Sequence, residues 1–161
     1  MKKLAILIAS IVAAGTLTEG RQAPADVPPQ FAGAVRKLDP PEAPGAWVVQ
    51  VLSRGGLGGR GTGDRAISSA GGLTLFDPGT TGAVPPDRLH LLGEYVRTST
   101  PAHWTSISAS VCSDCVTTLM VLRVRDASGA VQTRTVSWDP TTRGKVPAEV
   151  LRIYDFVSVL K

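Results

Sequence analysis

Residues 116–125 read VTTLMVLRVR, and residues 130–138 read AVQTRTVSW. Between them stands Asp126-Ala127-Ser128-Gly129. The first run is rich in β-branched residues and predicts a strand. Its even positions, Thr118, Met120, Leu122 and Val124, point one way, and Thr117, Leu119, Val121, Arg123 and Arg125 the other. Asp at the first turn position and Gly at the last predict a four-residue reversal, so the second run returns antiparallel.

Working outward, residues 47–53 (WVVQVLS) predict another strand. Residues 64–70 (DRAISSA) predict its partner, and residues 73–76 a short continuation. Each hairpin is followed by one amphipathic helix. Val84-Pro85-Pro86-Asp87 opens the first, where proline costs nothing because the first-turn N–H groups have no helical acceptor. Leu89, Leu92 and Val96, with Leu91 and Tyr95, give it an apolar face. Val146-Pro147-Ala148-Glu149 opens the second, with Val150, Ile153, Val157 and Leu160 as its stripe. The expected order is β-β-α-β-β-α: an α+β domain, an antiparallel sheet of two hairpins with two helices packed on it.

The N-terminus predicts export. Lys2 and Lys3 precede twelve residues, 4–15, that are apolar apart from Ser10 and Gly15. That is the charged region and core of a secretory signal peptide, and too short to span a bilayer. The expected organisation is a signal peptide over 1–25, a proline-rich arm over 26–46 and one domain over 47–161. One or two helical turns are expected in the arm around Phe31 to Leu38. Cleavage near Ala25 removes Lys2, Lys3, Arg21 and Glu19, taking the formal charge from +4 to +2. A charge so small and scattered gives no nucleic-acid footprint. The mature chain is expected in a periplasm or outside the cell, with no membrane span.

The chain has two cysteines, Cys112 and Cys115, in C-S-D-C. In an oxidising compartment the expected reading is a local disulfide. A zinc site drawing on Asp114 and His103, and a redox pair, are the alternatives.

Residues 54–63 (RGGLGGRGTG) hold six glycines in ten positions. A phosphate-binding loop needs a helix after it, and here DRAISSA predicts a strand, with no Gly-Lys-Ser/Thr. The glycines suit a hairpin loop with positive φ, or a loop whose backbone approaches a partner closely. His90 and His103 have no G-x-S-x-G beside them, and the acids sit singly at turns and helix starts. No catalytic residue, metal ligand or cofactor is expected, and the protein is not expected to be an enzyme.

Several segments occur in a recognisable order. They are a strand leading into Arg54-Gly55-Gly56-Leu57-Gly58-Gly59, then ISSAGGL, then Pro85-Pro86-Asp87-Arg88-Leu89. C-S-D-C, TLMVLRVRDASG, Trp138-Asp139 and Val146-Pro147-Ala148-Glu149-Val150 follow. From about residue 47 to 161 the chain resembles the emfourin-type family, small bacterial inhibitors of thermolysin-like metallopeptidases. The resemblance implies inhibition by filling a protease cleft, without chemistry. The glycine content singles out Arg54, Gly55, Gly56, Leu57 and Arg60 as partner-binding residues. The alternative is a non-inhibitory envelope module that binds another protein.

Overall fold

A computed structural model describes residues 27–35, 39–56, 63–76, 79–105 and 114–160. Two strands form the middle of its sheet: β1 (Trp47–Arg54) and β5 (Thr117–Arg125). They pair antiparallel over their length, Trp47 opposite Val124 and Arg54 opposite Thr117. On one side β6 (Val131–Trp138) returns along β5, as the Asp126–Gly129 turn predicts. On the other side β2 (Arg65–Ser68), β3 (Gly72–Leu75) and β4 (Thr80–Ala83) add in turn. The order is β4-β3-β2-β1-β5-β6, antiparallel throughout.

The class is α+β, as expected, but the sheet has six strands rather than two hairpins. Residues 73–76 do not continue β2. Gly71 takes φ +88°, a conformation that side chains resist, and turns the chain back as β3. β4 was not expected. All four of its residues are exposed, so it shows no alternation of apolar and polar positions.

Helices α2 (Pro86–Thr98) and α3 (Ala148–Ser158) cover one face. Leu92 and Val96 of α2 and Val150, Ile153 and Val157 of α3 pack on Val49, Val51, Met120, Leu122 and Val136. Leu91 is exposed instead of joining that face. Arg65 of β2 ties the end of α3 down. Its Nη1 donates to the carbonyls of Val157, Ser158 and Leu160 at 3.2, 2.7 and 2.8 Å. Val157 and Ser158 end α3 and Leu160 lies just past it, where no further helical turn supplies donors.

The second face is covered too. Pro29–Phe31 forms a tight turn that runs into the short helix α1 (Ala32–Val35). Val27, Phe31 and Val35 pack on Leu52, Leu119 and Val121. Phe31 and Val35 are four apart, so one helical face presents both. Arg123 Nη2 donates to the Val35 carbonyl at 2.7 Å. Gln50 Nε2 donates to the Ala34 carbonyl at 3.3 Å. Cover on both faces explains why β1 is almost wholly buried from end to end.

Candidate functional site

The glycine-rich loop leaves the sheet at the end of β1 and re-enters at Asp64. Its two ends are joined. Asp64 Oδ1 accepts the Ser53 N–H at 3.1 Å and Arg54 Nη1 at 2.7 Å. Arg54 Nη2 stands 2.7 Å from Asp64 Oδ2, which makes the pair two-pronged. Hydrogen bonding to this carboxylate raises the Arg54 pKa further, so the guanidinium stays charged. The guanidinium also lies over the Phe31 ring, 5.6 Å from its centre. That contact joins the N-terminal segment to the loop base.

The next two residues need to be glycine. Gly55 has φ +94°, and a Cβ there would stand 2.7 Å from the Cys115 carbonyl oxygen. Gly56 has φ +81°, and its Cβ would stand 3.0 Å from Val116 Cγ2. The start of the loop is therefore pressed against residues 114–116. Two motifs that are 60 positions apart meet at one end of the sheet.

Of the five expected partner-binding residues, Arg54, Gly55 and Gly56 lie together at this base. Leu57 and Arg60 lie outside the described residues, as does Cys112. There is no free cysteine among the described residues. Asp64 and Phe31 were missed as site residues. Asp64 carried a weak signal: it is an acid ten positions after Arg54, across a loop. Phe31 carried none beyond being an aromatic residue among prolines.

The histidines are elsewhere. His90 is exposed on α2. His103 Nδ1 stands 2.9 Å from Glu149 Oε1, which also accepts the Thr100 N–H at 2.8 Å. The Thr100 N–H, and then His103, hold the Glu149 carboxyl below its usual range. Among the described residues no three of His, Cys, Asp and Glu are grouped to hold a metal ion. No helix among them is long and apolar enough to cross a membrane.

Comparison with family models, with curated proteins and with solved structures gave no match. What the loop base does chemically rests on its own geometry. It offers a guanidinium paired with a carboxylate, and two glycines at positive φ lying against residues 114–116. That arrangement joins the two ends of the loop.

Proposed function

We propose that this is an exported, emfourin-like binding protein that inhibits a thermolysin-like metallopeptidase by occupying its cleft. The loop after β1 is the inserting element. Arg54, Gly55, Gly56, Leu57 and Arg60 are its contact residues. A Cys112–Cys115 disulfide holds the neighbouring segment.

One observation carries the reading: both ends of the loop are anchored. Asp64 clamps Ser53 and Arg54 across the loop's base, and Gly55 and Gly56 lie against Cys115 and Val116. A loop held at its base loses less conformational freedom on binding, and that saving goes into affinity. Many glycines above a rigid base let main chain reach into a narrow cleft without side-chain bulk.

The test is a titration of a thermolysin-like peptidase with the purified protein. Stoichiometric loss of peptidase activity is expected, and deletion of Gly56 to Gly59 should abolish it. Undiminished activity at excess protein rejects inhibition and leaves the non-inhibitory binding module. Inhibition that survives the deletion rejects the loop.

A further inference from the structure

A cavity of about 430 Å³ lies on the helix-covered face, at the end of the sheet where β1 begins. Trp47 and Val124, direct partners across β1 and β5, line it. So do Gly93, Val96 and Arg97 of α2, Arg134 of β6, and Gly45, Ser99 and Pro101. Its volume is within the roughly 300–1,000 Å³ of small-molecule sites.

Helix α2 has a glycine, Gly93, where it crosses Trp47 at the cavity. A Cβ on Gly93 would stand 3.9 Å from Trp47 Nε1 and Cζ2, in ordinary van der Waals contact with the indole. Any longer side chain would take up the space. A glycine inside a helix costs up to about 1 kcal/mol relative to alanine. Trp47 and Val96 are buried and supply an apolar lining.

The charges are one-sided. Both ionisable residues in the lining are arginines. Arg97 is already engaged by Glu94, its neighbour on α2. Arg134 is half-buried and has no hydrogen-bond or ion-pair partner among the described residues. A guanidinium beside an apolar lining and without a protein partner among the described residues is available to a bound anion. Its guanidinium matches a carboxylate with two parallel hydrogen bonds.

We infer that this cavity binds a small molecule with one carboxylate on an apolar ring or chain. The carboxylate sits on Arg134, and the apolar body lies over Trp47 and Val124 beneath Gly93. The site is separate from the loop base, so its fate is independent of protease inhibition.

The test uses 2-naphthoate and its neutral analogue 2-naphthamide with the full chain. Binding is followed by the NMR shift of the Trp47 indole N–H. The acid is expected to bind at least ten-fold more tightly than the amide. Arg134→Gln should remove that preference while the amide's affinity stays the same. Gly93→Leu should weaken both ligands at least ten-fold, with the fold checked by circular dichroism. Should Gly93→Leu unfold the chain, the smaller Gly93→Val serves, with a smaller loss for both ligands. No saturable binding below millimolar concentration overturns the proposal. So does equal affinity for acid and amide, an unchanged preference in Arg134→Gln, or a shift confined to Trp104 or Trp138.

Discussion

Gly55 carries two separate constraints, and substitution can tell them apart. Its φ of +94° disfavours any side chain, and its Cβ position lies 2.7 Å from a backbone carbonyl oxygen. Gly129, in the turn between β5 and β6, has a similar φ of +87° but open space around it. Gly129→Ala should therefore cost only the backbone strain, about 1 kcal/mol. Gly55→Ala adds a clash that the carbonyl cannot avoid without moving β5, and should cost at least twice as much. Thermal melting of the two variants checks this, and equal losses would show that the close approach is not felt. Asp126 and Glu149 set a second expectation at this scale. Hydrogen bonds from Ser128 lower the pKa of Asp126, and the Thr100 N–H lowers that of Glu149. A lowered folded pKa stabilises above the unfolded value and loses that stabilisation as pH falls through the folded one. The melting temperature should hold steady from neutral pH down to about 5, then fall as both carboxylates are protonated. Glu149→Gln should flatten part of that fall.

Among the elements, the segment at residues 27–35 contributes more than its length suggests. Phe31 is fully buried against Leu52, Leu119 and Val121. Phe31→Ala should cost about 3–5 kcal/mol, read as a lower urea midpoint. A loss under 1 kcal/mol would mean that the second face is not part of the cooperative fold. The residues that make β5, β6, α2 and α3 were readable because each repeats an apolar spacing and ends at a turn or proline signal. β4 was not, since Thr80-Thr81-Gly82-Ala83 buries nothing and is a strand only through its backbone pairing with β3. Helical turns around Phe31 were readable, but the sheet face beneath them was not: Leu119 and Val121 show only that something apolar must cover them. At the loop, the glycines announced themselves, whereas the clamp on Arg54 and the contact of Gly55 with Cys115 depend on residues brought in from elsewhere in the chain.

Across the whole molecule, stability should be graded along the sheet. β1 and β5 are covered on both faces, and β4 is an exposed edge. Backbone amides of β1 and β5 should exchange with solvent only on global unfolding, while those of β4 exchange through local opening. Hydrogen exchange followed by NMR measures this, and uniform protection would contradict it. The sheet order also governs how the chain is made. β1 meets β5 across 63 to 77 positions, from Arg54 with Thr117 to Trp47 with Val124. Contacts so distant in sequence make folding slow. During synthesis β1 to β4 and α2 are complete before β5 exists. Until about residue 125 leaves the ribosome, the strand destined for the centre is an open edge, with α3 still missing from one of its faces. The nascent chain therefore offers a holding chaperone a long-lived binding stretch, and that stretch vanishes when β5 slots in.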